Sequence, residues 1–209
     1  MKKSEILRNL KKIQALFVEN QKVDEAFEVI FKELDLLPKE TFETKSKASR
    51  ELTIPAEAEG LERAYLLFSD GACRGNPGPG AWACLIQDVK GEILLQSSGV
   101  DVPTTNNKME LQGVISALEG LIDRWVQSGM SEREIPVFVY SDSKYVVDGI
   151  SSWVSGWKSR GWKKADGKSP ENVELWQQLD LLNSQFSNIK YIWVKGHAGH
   201  PQNELCDQM

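Results

Sequence analysis

Two stretches of this 209-residue chain end alike, FSDG at Asp70 and YSDS at Asp142. Each Asp closes a short apolar run, and a carboxylate at the C-terminal end of a buried strand sits where α/β sheets open their ligand crevice. Asp also starts turns and caps helices, so either one alone is as readily structural. Glu110 falls in the first turn of a long amphipathic stretch, where the helix dipole favours an acid. Asp207 stands in a short run that reads as a helix from Pro201, and alone it is solvated surface. Taken together the four differ in meaning, because carboxylates gathered in one crevice repel one another unless cations intervene. A thiolate-free oxygen set suits Mg²⁺ or Mn²⁺. Two such ions stabilise both the attacking and the leaving oxygen of a phosphodiester displacement. Spacing by itself does not establish that the four converge.

The chain has two histidines, His197 and His200, both in GHAGHP. The spacing suggests zinc, but no third His stands nearby and zinc usually takes three or four protein ligands. A loop bounded by glycines suits a proton carrier titrating near neutrality, while His200 fits a helix entry. Asn76, Thr104, Thr105, Asn106 and Asn107 are short polar loop residues whose plain role is turn formation and capping, with Asn106 or Asn107 as the N-cap. The segment WKSRGWKKADGK, Trp157 to Lys168, carries five basic residues against Asp166 alone. A charge run is usually a solvated face. Interleaving with Trp157 and Trp162, and with Trp153 just upstream, points to a nucleic-acid strand held by phosphate contacts and aromatic surface.

These residues need a scaffold. AYLLFSD, AWACLIQD and EILLQSSGV read as three strands of an antiparallel meander, with GACRGNPGPG as a Gly/Pro turn between the first two. Asn107 to Gln127 reads as a helix with Met109, Leu111, Val114, Ile115, Leu118, Leu121 and Ile122 on its buried side. IPVFVYSD is a fourth strand, its near-continuous apolar character implying burial on both faces. Lys144 to Val154 and Asn172 to Phe186 read as helices, and NIKYIWVKG as a fifth strand. A meander followed by alternating helices and strands implies an α/β domain with a five-stranded mixed sheet and flanking helices.

Ahead of this domain, residues 1–37 read as a helical hairpin, with stripes at Ile6, Leu7, Leu10, Ile13, Phe17 and at Val23, Phe27, Ile30, Phe31, Leu34. Residues 38–61 have the polar make-up of a linker, leaving 62–209 as the main domain. The hairpin must bury its stripes by intramolecular packing or by dimerisation.

No apolar run approaches the ~20 residues needed to cross a bilayer, and MKKSEILRNLKK lacks the apolar core of a secretion signal. Three cysteines, Cys73, Cys84 and Cys206, make neither a CxxC pair nor an even disulfide set, which favours a reducing, cytoplasmic setting. A net charge of -5 argues against a chain coated for nucleic acid, so binding would rest on the local basic cluster.

In order along residues 64–209, SDGACRGNPGPGAW, TTNNKMEL, YSDSKYVVDGI, GWKSRGWKKADGK and WVKGHAGHPQNELCD resemble the type 1 ribonuclease H family. The resemblance implies a ribonuclease H-like fold and an endonuclease acting on the RNA strand of RNA–DNA hybrids, leaving 5′-phosphate and 3′-hydroxyl ends. It implies Asp70, Glu110, Asp142 and Asp207 as ligands of two Mg²⁺ ions, with Mn²⁺ as a substitute, and His197 as the general acid/base. It places Asn76, Asn106 and Asn107 near the RNA minor groove, where 2′-hydroxyls tell RNA from DNA, Thr105 at a DNA-strand phosphate, and Asn203 near the metals. Trp153, Trp157, Lys158, Trp162, Lys163 and Lys164 fall in the family's basic protrusion. Lys144 departs from a common Gln, so it keeps backbone attraction but loses the amide's paired donor and acceptor. Bacterial members continue for several turns beyond the Asp matching Asp207, whereas this sequence ends at Met209. The competing reading is a hybrid-binding module with impaired catalysis, which arises if Asp207 is misplaced.

Overall fold

The computed structural model describes residues 27, 29, 30, 32, 52–128, 132–196 and 201–209. The chain divides into two compact units, Met1–Ala48 and Ser49–Met209. In the first, Phe27, Val29, Ile30 and Lys32 lie in a helix; the rest of the expected hairpin falls outside the described residues.

The second unit runs β1 (Tyr65–Cys73), β2 (Gly78–Asp88), β3 (Ile93–Thr104), α1 (Asn106–Ser128), β4 (Val137–Ser141), α2 (Lys144–Asp148), a π-helical turn (Gly149–Trp153), α3 (Val154–Ser159), α4 (Val173–Asn183), β5 (Ile189–Trp193) and α5 (Pro201–Asp207), preceded by a 3₁₀ turn (Ala56–Ala58). The sheet order is β3-β2-β1-β4-β5. β1 pairs antiparallel with β2, and β2 with β3; β4 runs parallel to both β1 and β5. This is the expected mixed sheet.

Alternation along the strands sorts the core onto two faces. Leu67, Cys84, Ile86, Val137 and Val139 meet α1 through Leu111, Val114, Ile115, Leu118 and Leu121, with Trp176 and Leu179 of α4 behind. Leu66, Phe68, Ala83, Leu85, Phe138 and Tyr140 build the other face together with Ala58 and Cys206. All five residues of β4 are buried, as its unbroken apolar run requires.

Two expected boundaries move. GACRGNPGPG is not a turn throughout: β1 and β2 stay paired as far as Cys73↔Gly80, so the connection shrinks to residues 74–77. The small residues there serve a close crossing instead. A Cβ on Gly71 would lie 2.4 Å from the Glu110 backbone nitrogen, so a larger residue would hold α1 off the sheet. The helix expected from Lys144 also runs on, through the π turn to Ser159.

Residues 52–61, from the stretch read as a linker, pack on the second face: Ala58 is 1% exposed, Ile54 joins that core, and the Tyr140 hydroxyl donates to Glu57 Oε2 at 3.2 Å.

Candidate active site

The Ser69↔Ser141 pair is the last between β1 and β4. Beyond it β4 stops while β1 continues against β2, so the next residues, Asp70 and Asp142, emerge side by side where the parallel half of the sheet ends. Asp70 therefore lies inside β1 rather than at its end. The expected first-turn position of Glu110 is also revised, because α1 begins at Asn106 and its first turn holds no acid. Glu110 arrives through the Gly71 crossing rather than through the dipole of the helix end. One ligand oxygen from each of Asp70, Glu110 and Asp142 lies within 4.8 Å of the other two.

Glu110 is 6% exposed, and its acidity shows it: burial first, then the charges of Asp142 and Asp70, raise its pKa to about 9, against a weaker lowering by the Asn106 amide. Asn106 Nδ2 donates to Glu110 Oε1 at 3.4 Å, and the Gly71 N–H donates to Asp70 Oδ1 at 2.9 Å. Glu110 Oε2 and Asp142 Oδ1 are buried with no hydrogen-bond partner among the described residues. Converging buried oxygens with no donor are costly, and a hard divalent cation is the partner they fit. Gly196 closes this wall, since a Cβ there would stand 2.4 Å from Asp142 Oδ2.

Asp207 is exposed at the end of α5 and does not belong to the group of three. Its helix is well anchored nonetheless. Gln202, 2% exposed, donates through Nε2 to the Thr53 carbonyl at 2.6 Å and to Gln87 Oε1 at 3.2 Å. The Cys206 thiol donates to the Phe68 carbonyl at 3.7 Å. Asn203 is buried, its Oδ1 without a partner among the described residues. His197 and His200 lie outside the described residues.

The polar loops meet as a group. Asn76 Oδ1 accepts from the Asn106 N–H at 3.3 Å. The hydroxyl of Thr105 accepts from the Lys108 N–H at 3.4 Å, so Thr105 caps α1 in place of Asn106 or Asn107, both of which lie within the helix. In the basic segment, Trp153 and Trp157 have ring centroids 5.9 Å apart, and Trp157 packs edge-on to the buried Trp176 at 5.7 Å. Trp162 packs on the main core with a left-handed backbone, φ 62°. Lys163 is exposed and Lys164 half-buried, whereas Lys158 Nζ is paired with Asp180 Oδ2 at 2.8 Å. Lys144 Nζ stands over the ring of Trp193, 4.9 Å from its centroid.

Gly71, Gly196, Gln202 and Trp193 escaped the sequence reading. Each acts through a contact with a distant segment, and only the glycine of WVKGH carried a local signal, its place beside His197.

The sequence model of the RNase H family matches residues 62–209. The Ribonuclease H of Rhodopirellula baltica is 49% identical over 157 residues, covering 74% of this chain and 92% of the relative. That of Ruegeria pomeroyi is 46% identical over 145 residues, covering 68% and 86%. Among solved structures, LC9-RNase H1, a type 1 RNase H with the type 2 active-site motif, superposes with a TM-score of 0.58 at 32% identity over 70% of this chain and 69% of its own. LC11-RNase H1 in complex with RNA/DNA hybrid gives a TM-score of 0.52 at 26% identity, covering 69% and 94%.

Proposed function

The chain belongs to the RNase H family and is a ribonuclease, and from that premise we propose that it hydrolyses the RNA strand of RNA–DNA hybrids with divalent metal, leaving 5′-phosphate and 3′-hydroxyl ends. The observation that carries this reading is the meeting of Asp70, Glu110 and Asp142 within 4.8 Å, with Glu110 Oε2 and Asp142 Oδ1 buried and without a donor among the described residues. These three would hold Mg²⁺ or Mn²⁺, and Asp207 would complete the set for a second ion. Bound there, the ions would supply the positive charge that a phosphodiester displacement develops a need for.

The chain's own groups do the rest. Asp70 and Asp142 would hold the ions where β1 and β4 part, and the positive charge so placed would draw the reacting phosphate there, with Gly196 leaving room beside Asp142. Attack by water forms the new P–O bond as the bond to the 3′ oxygen breaks, and His197 carries a proton to or from these oxygens. Asn76 and Asn106, already joined by a hydrogen bond, present amides to the minor groove of the hybrid, where 2′-hydroxyls are found. Lys163, exposed and without an ion pair among the described residues, together with Lys164, holds the DNA strand by phosphate attraction.

The exposed position of Asp207, outside the group of three, favours a second reading, a hybrid-binding module with slow turnover. One comparison separates them. A labelled RNA–DNA hybrid, duplex DNA and duplex RNA are incubated with Mg²⁺ and either wild type or Asp142→Asn. Hybrid-selective cleavage by wild type, lost in the variant, is expected. Hybrid retention without cleavage supports the binding module, and indifference to the nucleic acid overturns both.

A further inference from the structure

Lys144 stands two residues after Asp142, on an exposed site at the start of α2. A long flexible ammonium two residues from one of three clustered carboxylates would be expected to fold toward them. An ion pair there would occupy oxygens that a divalent cation needs. Among the described residues Lys144 makes no ion pair, and its Nζ lies over the Trp193 ring instead, 4.9 Å from the centroid.

The ring is itself fixed from behind. Trp193 is the last residue of β5 and stands opposite Ser141 in the parallel pair. Its indole Nε1–H donates to the Asp142 carbonyl oxygen at 2.9 Å, and the next residue, Val194, donates its N–H to the Ser141 carbonyl at 3.0 Å. The edge of the indole is thus tied to the backbone of a proposed metal ligand. Its face, with the residue 44% exposed, receives the cation. A tryptophan this exposed on a terminal strand adds little to the core, and its quadrupole gives it a clear alternative use, holding a cation at the rim of the crevice.

We infer that Trp193 is a positioning residue for Lys144: it keeps the ammonium off the Asp70, Glu110 and Asp142 carboxylates and presents it to a backbone phosphate of the bound hybrid. This rests on the hybrid-binding reading above and adds to it a division of labour between two cations. The lysine serves the nucleic acid, and the carboxylates remain open to the metal.

The test uses the full chain and two readouts that do not depend on turnover. The first is the salt dependence of metal-free binding to a labelled RNA–DNA hybrid; the second is Mn²⁺ affinity by calorimetry. Lys144→Gln is expected to lower the steepness of the log–log salt plot by about one phosphate contact and to leave Mn²⁺ affinity alone. Trp193→Leu is expected to lower the salt slope equally and, by freeing the ammonium to pair with a carboxylate, to weaken Mn²⁺ by about two- to fivefold, the scale of a partly exposed ion pair. Mn²⁺ affinity returns in the Lys144→Gln/Trp193→Leu double variant. Trp193→Phe keeps an aromatic face and stays near wild type on both.

A wild-type salt slope in Lys144→Gln overturns the inference, as does a Mn²⁺ defect that persists in the double variant, since that would be ordinary structural damage. Should Trp193→Leu fail to fold by circular dichroism, Lys144→Gln and Trp193→Phe decide the matter on the salt slope. Failure of the functional reading is seen separately, as wild-type protein that neither binds nor cleaves the hybrid.

Discussion

Gln202 donates a hydrogen bond to the carbonyl oxygen of Thr53 at 2.6 Å, joining the last helix to a residue ahead of the first strand. α5 has only seven residues, too few to hold helical form by itself. The Gln202 amide, Cys206 and Leu205 fasten it to the face that also receives Ala58 and Ile54. Gln202→Ala would leave the buried Gln87 Oε1 and the Thr53 carbonyl without this donor and open a gap beside Gln87. The expected cost is ~1–3 kcal/mol of stability by urea denaturation. If α5 positions Asp207 for catalysis, turnover at saturating Mg²⁺ falls as well, even at temperatures where the variant remains folded.

Glu110 makes the metal-free protein sensitive to pH in a direction opposite to that of most carboxylates. Its folded-state pKa is raised to about 9, by burial and then by Asp142 and Asp70, whereas an unfolded Glu titrates near 4.5. Between these values the folded state keeps a proton that the unfolded state has released, so this group's contribution to stability falls as pH rises through the window. Glu110→Gln removes the liability. In EDTA at pH 8 the variant should be more stable than wild type by ~1–3 kcal/mol, while Mg²⁺-dependent cleavage is lost. Wild type should also release protons on binding Mn²⁺ at pH 7, and equal calorimetric heats in buffers of different ionisation enthalpy would contradict this.

Gly196 tests the shape of the wall. A methyl group there would lie 2.4 Å from Asp142 Oδ2, so either the loop or the carboxylate must shift. Gly196 is outside the two core clusters, and Gly196→Ala should leave the melting temperature nearly unchanged. Metal affinity should fall by about tenfold, the usual effect of disturbing what orients a ligand. A large loss of stability with normal Mn²⁺ affinity would count against this assignment.

The parts of this site visible in the sequence are those with a local signature. Short apolar runs marked the strands, a helical stripe marked α1, and the Asp after two of those runs marked the place where β1 and β4 part. What stayed hidden depends on a second segment. Asp70 looked like a strand end because the glycine-rich stretch after it resembles a turn; β1 in fact continues there against β2, with Gly71 small for the sake of α1. Thr105 looked no better a cap than Asn106 until the helix start was located. Trp193 and Gln202 have neighbours that reveal nothing of their role, because their partners, Asp142 and Thr53, lie 51 and 149 residues away.

The pairing of Lys158 with Asp180 at 2.8 Å bears on the basic segment. A run of five cations suggests five equal phosphate contacts, yet one of them already has a carboxylate partner, on α4, which is only partly exposed. In the hybrid complex Lys158 must give up or share that partner, whereas Lys163 starts in solvent. Neutralising Asp180 should therefore do more than remove a surface charge. Asp180→Asn frees the Lys158 ammonium and removes a negative group from the path of the DNA strand. Hybrid binding should tighten several-fold at ~0.1 M salt and its salt slope steepen by about one contact. Stability should change little, as expected of a pair in which Lys158 is largely exposed. Lys163→Ala should do the reverse, weakening binding and flattening the slope. If Asp180→Asn leaves both affinity and slope where they were, the strand does not pass Lys158, and the grip of this segment lies with Lys163, Lys164 and the tryptophans.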